Sequence, residues 1–520
     1  MSNAPPRRWL VIFILLLLII GILPYLVTWA ITPSGFHFTG LIFNPQDGNS
    51  YVAKMRQGWE GSWRFHLPFT PEEHAGAYLF LYHLFLGHLA RTLRLPLILV
   101  YHGARLLTAG AMLVAIYTLA GELTDQRHER RTMVLFAAIG SGLGWLASAF
   151  GLMSADLWIT EAFPIYSLLS NAHFPLAIGL MAGMGVCGLR LLRQETDRSW
   201  VYGLVLAAGG IALGAVQPFG LVPTFGGLGL AVVAHGLRER TLPWRAIAWT
   251  GTAALLALPY PIYMQWTLQH DPVLSAWTAQ NVTLSPPIWE WLLGFGVLAV
   301  LGTLGGIFAA RRGTDSDWLT VGWTLVTLVG MYLPLPLQRR ISLGWGVPLG
   351  LLAGVGWWRV VRPQIAPRLR GSARTATLAF SALTPLFLIT ITVLSAMGGQ
   401  RWFTLSQGEW KGIEWLHEES ASDAVVLCAP QTGLFIPAWA GQRVVYGHPF
   451  ETVDAKRRQE AVEAYWRGEM SVQERDAFLA ENDVMYVFEG PRERALGDVQ
   501  PDGERVYDTA DVRIYAINGR

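Results

Sequence analysis

Eleven apolar runs decide what this chain can fold into. The first, Trp9 to Ala30, is 22 residues without a charge, about 33 Å as a helix against a hydrocarbon core of about 30 Å. The others fall near 97–120, 133–152, 172–190, 201–217, 220–236, 246–264, 288–309, 318–337, 341–358 and 376–397. A bilayer interior offers no water to unpaired backbone groups, so such spans must be helices rather than open strands. The expected fold is a polytopic α-helical membrane protein with about eleven transmembrane helices. Arg7 and Arg8 ahead of the first run also suit a signal peptide, but the run exceeds an h-region and no small-residue cleavage site follows. It is expected to stay as an anchor.

Charge divides the chain in two. Residues 401–520 carry 13 basic and 21 acidic side chains, and residues 1–400 carry 26 and 16, so the formal +2 is a near-cancellation. The balance gives no argument for a nucleic-acid partner. The expected domains are a transmembrane module, 1–397, and a soluble tail, 398–520. In the tail, strand-like segments at 424–430, 443–447, 484–490 and 512–517 alternate with helix-like stretches at 409–418, 453–467 and 471–481, which favours a small α/β domain. No Gly-rich phosphate loop stands on a strand-to-helix turn there. Cys187 and Cys428 are the only cysteines; neither a disulfide framework nor a zinc site is indicated.

Loop charges set an expected orientation. With the N-terminus inside, the cytoplasmic segments hold Arg7 and Arg8; Arg127, Arg130 and Arg131; Arg190, Arg193 and Arg198; Arg238, Arg240 and Arg245; Arg311 and Arg312; and Arg359, Arg362, Arg368, Arg370 and Arg374. These are 18 of the module's 26 positive charges, whereas 153–171, 217–219 and 265–287 contain none. That is a positive-inside pattern, and an odd span count puts the tail on the extracytoplasmic side of a multi-pass cell-membrane protein. A long first outer loop, 31–96, contains Ala77 to Arg91, read as an amphipathic helix at the interface. Gln338-Arg339-Arg340 places two cations on the side that otherwise avoids them.

Three segments in order carry a resemblance: FNPQDGNSYVAKMRQGWEGSW (43–63), YLFLYHLFLGHLAR (78–91) and GARLLTAGAMLVAIYTLAGEL (103–123). This order, with an inside N-terminus and a C-terminal outer domain, is similar to the GT-C superfamily of membrane glycosyltransferases, in particular the protein O-mannosyltransferase and aminoarabinose transferase group (family 39-like). The resemblance implies transfer of a sugar from a polyprenyl-phosphate donor to an acceptor at the outer face. It also implies that an acid of the first outer loop, here Asp47, is the catalytic base or a metal ligand.

The chemistry needs such groups. A carboxylate must take the acceptor's proton while positive charge builds at the anomeric carbon. The leaving lipid phosphate suits arginine, whose planar fork binds phosphate oxygens in pairs, so Arg339, Arg340 and Arg105 are candidates. Glu72, Glu73 and His74, and in the second outer loop Asp156, Glu161 and His173, are candidates for holding a divalent cation (Mg or Mn) or the acceptor. Bland readings stand beside these. Asp47 suits a helix cap, Glu72 and Glu73 an acidic first turn, Asp156 and Glu161 capping or solvation, and the arginine pair a headgroup anchor. His448, in GHPFET, either faces the module or is a packed or capping side chain. The acceptor, whether glycan, lipid or protein, is not legible. A transporter or flippase, or a noncatalytic scaffold, is the alternative, but no internal repeat is evident and the module's charges sit at span edges.

Overall fold

The computed structural model describes residues 7–193, 199–398 and 401–517; Arg198 lies outside them. The chain forms two compact units. The first comprises 1–24, 102–263 and 283–392, and the second 25–101, 264–282 and 393–520. This division differs from the expected split at 397/398, because the first loop groups with the tail.

The chain is mostly helical. Among the described residues, seven helices are long and apolar enough to cross a membrane: Arg8–Ile31, Leu97–Leu123, Arg127–Ala149, His173–Leu192, Ser199–Val216, Pro218–Glu239 and Pro367–Met397. The run expected to span at 288–309 is instead a bent pair, Ile288–Phe295 and Val297–Arg312, turning by 94°. The bend sits on Gly296 at φ 49°, ψ −121°, a conformation strained for any residue with a Cβ. The runs at 246–264, 318–337 and 341–358 fall on shorter helices, Trp244–Ala257 followed by Pro259–His270, Asp315–Gly330, and Gly346–Val355. By length and composition the count among the described residues is therefore seven, or eight with the bent pair, against about eleven expected from hydropathy.

Two large apolar clusters stand out in the first unit. One gathers Leu113, Ile116, Met181, Leu206, Leu228 and Trp323. The other is aromatic: Trp345 meets Trp291 and Phe295 edge-on at 5.2 and 4.9 Å, the geometry the ring quadrupole prefers.

In the second unit, helices Pro45–Glu60 and Leu81–Leu93 pack backbone to backbone. A Cβ at Gly58 would lie 2.1 Å from the Leu84 carbonyl oxygen, and one at Gly87 would lie 1.9 Å from that of Met55. The tail contributes a five-stranded sheet of order β4-β3-β5-β7-β6, with β3 Val425–Leu427, β4 Arg443–Val444, β5 Val484–Glu489, β6 Glu504–Asp508 and β7 Arg513–Ala516. β3 runs parallel to both β4 and β5, while β7 is antiparallel to β5 and β6. β6 has no counterpart among the expected strands. Ser406 and Ser471 open helices Gln407–Glu419 and Val472–Glu481 with capping boxes to Glu409 and Glu474.

First loop and tail are fastened together along their length. β1 (Phe36–Phe38) pairs antiparallel with β2 (Thr404–Ser406). Thr452 Oγ1 donates to the Phe69 carbonyl at 2.7 Å, Val444 N to that of Pro68 at 3.2 Å, and Trp439 Nε1 to Asn49 Oδ1 at 3.1 Å. These bonds satisfy loop backbone that would otherwise lack partners, and they hold the helix bearing Asp47.

Candidate active site

Asp47 stands in the first turn of helix Pro45–Glu60, behind Pro45 and a left-handed Asn44 (φ 49°). An acid there suits the helix dipole, but it does not cap the backbone. Its Oδ2 accepts from Asn44 Nδ2 at 2.6 Å. Its Oδ1 lies 3.6 Å from Nε2 of His448, and the Asp47 side chain is 41% exposed while the His448 ring is buried.

The tautomer of His448 follows from its other nitrogen. Phe450 N donates to Nδ1 at 3.1 Å, so Nε2 carries the proton and points it toward the carboxylate. At 3.6 Å this is an electrostatic contact rather than a full hydrogen bond. Burial works against ionisation of Asp47, but His448, Asn44 and Lys54 outweigh it and bring the carboxyl down to about 2. Its folded value is thus below the ordinary ~3.9, so the stability it contributes is present above that value and lost as pH falls through about 2. Replacing His448 with glutamine removes the largest of these opposing influences. The variant's acid limb of activity is expected to move upward from the wild-type position, as a pH–rate profile would show; an unmoved limb would detach His448 from Asp47.

Behind this pair lies a buried charge. Lys54 Nζ donates to Glu451 Oε1 at 2.6 Å and to Ser50 Oγ at 2.5 Å, and Ser50 Oγ also bonds Glu451. The ammonium sits 4.4 Å from the Phe80 ring centroid and 5.4 Å from that of Phe65, so aromatic faces complete its surroundings. Glu451 N and Thr452 N donate to the His448 carbonyl at 3.3 and 3.0 Å. Lys54 thereby fixes the turn that presents His448. Sequence reading weighed His448 and missed Lys54 and Glu451. One signal was there: Lys54 is the only lysine before residue 411, and a compact ammonium fits a closed box where a guanidinium would not.

The remaining acids and His74 of this unit are engaged elsewhere. Glu72 bonds Arg458 and Thr70, and Glu73 pairs with Arg443 at 2.9 Å. His74 Nε2 accepts from Leu67 N at 2.9 Å, and burial, with His66 and Arg443 nearby, lowers its pKa despite Asp271. Among the described residues no group of three or more His, Cys, Asp or Glu is placed to hold a metal ion. A divalent cation, one of the alternatives for these residues, thus finds no ligand set around Asp47 among the described residues.

The other candidates belong to the first unit. Asp156 accepts from Gly142 N at 2.9 Å, Gly144 N at 3.3 Å and Ser154 Oγ at 2.6 Å; it ties a turn together. His173 is the first residue of helix His173–Leu192, buried against the Phe174 ring. Arg339 Nε lies 3.4 Å from Glu161 Oε1, with its guanidinium 4.7 Å from the Trp158 ring centroid, and Arg340 lies over Phe219 at 5.8 Å. Arg105 is wholly buried; its Nη1 donates to the carbonyls of Gly21 and Leu168 at 3.0 and 2.7 Å. Its place is that of a brace between helices, not of a phosphate ligand.

No protein-family model matches the chain, and no curated protein matches it in sequence. Solved structures do. The apo oligosaccharyltransferase of Archaeoglobus fulgidus superimposes with a TM-score of 0.54 at 12% identity, over 92% of this chain and 69% of its own. Apo ArnT from Cupriavidus metallidurans gives 0.53 at 12% identity, over 97% of each chain. A variant of the arabinofuranosyltransferase AftD from Mycobacteria gives 0.55 at 16%, over 100% of this chain and 42% of its own. The fold is that of the GT-C glycosyltransferases. ArnT has also been solved with undecaprenyl phosphate, and the Archaeoglobus enzyme with dolichol-phosphate and an inhibitory peptide, and with zinc and sulfate. Identities this low establish the GT-C fold alone, so the roles of Asp47, His448 and the arginine pair rest on this chain's own geometry.

Proposed function

We propose that the protein is a multi-pass membrane glycosyltransferase that moves a sugar from a polyprenyl-phosphate donor to a hydroxyl acceptor on the extracytoplasmic face, with its N-terminus in the cytoplasm. The observation that carries this reading is Asp47, a carboxylate held ionised by Asn44, His448 and Lys54 in a chain of GT-C fold. The acceptor oxygen attacks the anomeric carbon as the bond from that carbon to the phosphate oxygen breaks. The bonding electrons leave with the lipid phosphate, the acceptor proton passes to Asp47, and configuration inverts.

A carboxylate with a pKa near 2 is a weak base, yet it suits this reaction. In an oxocarbenium-like transition state the acceptor hydroxyl becomes acidic only as its new bond forms, so the proton leaves late. Before that, the anion orients the hydroxyl and stabilises charge at the anomeric carbon. For the donor's phosphate the first unit offers Arg339 and Arg340, whose guanidinium forks suit phosphate oxygens. Glu161 and Trp158 position the Arg339 guanidinium. Arg105, committed to carbonyls, has no part in this.

The test supplies membranes holding the protein with a radiolabelled polyprenyl-phosphate sugar. Label should leave the polyprenyl phosphate and become covalently attached to a different acceptor, and Arg339→Gln should raise the donor KM by roughly tenfold or more. Label that crosses the membrane still on its lipid would mean a carrier instead. An unchanged donor KM in Arg339→Gln would leave that residue only its contacts to Glu161 and Trp158.

A further inference from the structure

The second unit contains a cleft of about 320 Å³ that none of the roles above uses, at the small end of ligand pockets. It abuts the Asp47 pair through the chain itself: Gln46 lines it, immediately before Asp47, and Gly447 and Pro449 line it on either side of His448.

Its lining is of two kinds. One part is a row of hydrogen-bonding groups already set in order. Tyr446 Oη donates to Gln459 Oε1 at 2.9 Å, Gln459 Nε2 donates to Glu463 Oε1 at 2.9 Å, and Arg467 Nη2 holds Glu463 Oε2 at 2.6 Å. The other part is apolar and flat, with Trp402, 41% exposed, and Pro430. Arg492 adds a buried cation, its side chain 3% exposed and paired with Glu409 at 3.1 Å. Its Nη2 donates to the carbonyls of Arg401 and Thr404 at 3.0 and 2.8 Å, and its Nη1 has no hydrogen-bond partner among the described residues.

We propose that this cleft seats the saccharide end of the acceptor. A sugar ring offers C–H faces to an indole or a proline and a rim of hydroxyls that both donate and accept, which is what amides and a carboxylate complement. An alkyl chain in the same place would cover the Gln46 amide and the remaining hydrogen-bonding capacity of Gln459 and Glu463 without supplying partners. Because Tyr446, Gln459 and Glu463 are held by one another before any ligand arrives, little ordering cost remains for binding. The inference rests on the transferase reading and adds the acceptor's class, a glycan.

Calorimetric titration of the full chain in detergent, without donor, tests it with neutral trisaccharides of glucose, mannose and N-acetylglucosamine. At least one should bind saturably, and Trp402→Ala and Glu463→Gln, both at partly exposed positions, should each weaken it by about tenfold or more. In the transfer assay the same variants should raise the acceptor KM and leave the donor KM alone. Absence of saturable binding to the wild type, or binding that both variants leave unchanged, overturns the cleft proposal even where transfer is intact. Saturable, variant-sensitive binding by a chain that transfers no sugar keeps the cleft as a saccharide site and removes the transferase reading.

Discussion

Asp47→Asn should lower sugar transfer by about 10²- to 10⁴-fold, the range typical for loss of a positioned general base, at unchanged expression and membrane insertion. Asparagine keeps the size and can still bond Asn44, so the turn that begins at Pro45 should survive. What disappears is the anion that receives the proton and faces the anomeric carbon. The measurement compares membranes of wild type and variant on a radiolabelled polyprenyl-phosphate sugar, with donor binding as a control. Transfer at the wild-type rate would exclude Asp47 as the base. Donor binding should persist in the variant, since Asp47 is assigned to the acceptor side of the reaction.

Lys54→Met should be the most damaging substitution in the second unit away from the reacting groups. Lys54 and Glu451 have side chains 1% and 12% exposed, and removing one member leaves the other as an uncompensated buried charge, a loss of about 3–5 kcal/mol. Thermal unfolding in detergent should fall sharply, and limited proteolysis should open the segment around His448 first. Lys54→Met combined with Glu451→Leu should recover much of the loss, because two apolar groups need no partner. The pair also sets an acid sensitivity. Burial opposes ionisation of Glu451, but Lys54, His448 and Ser50 together lower its pKa. Its contribution is therefore complete above the ordinary ~4.3 and fades as pH falls toward the lower folded value. A smaller loss of stability between neutral and acid pH in the double variant than in the wild type is the expected companion result.

Hydropathy showed the helical membrane character, and the order of segments from 43 to 123 pointed to the fold. The number of spans was less legible. A run such as 288–309 is continuous in hydropathy, and only Gly296, one glycine among 55, marks the bend. Asp47 was legible as an acid of the first loop. Its partner was not, because His448 lies 401 residues away, and nothing local in GHPFET says that its Nδ1 accepts from Phe450 and so turns Nε2 toward an acid. Arg105 misled for a related reason. In sequence it is a cation near a span end, and only the carbonyls of Gly21 and Leu168 show why it is there. The cleft was invisible altogether, since its lining comes from Gln46, the stretch from 401, and helices that follow β4.

The pairing of β1 with β2 and the bond from Thr39 to Phe403, 364 residues apart, have a consequence for biogenesis. At a synthesis rate of roughly 5–20 residues per second, tens of seconds separate synthesis of the first loop from that of the strand that completes it. Throughout that interval Asp47 has no imidazole beside it, and the backbone of 65–70 lacks its tail partners. Under the proposed function, a nascent chain would therefore stay unfinished around Asp47 until the tail had been made, and translation order would keep a half-made chain from acting on its donor.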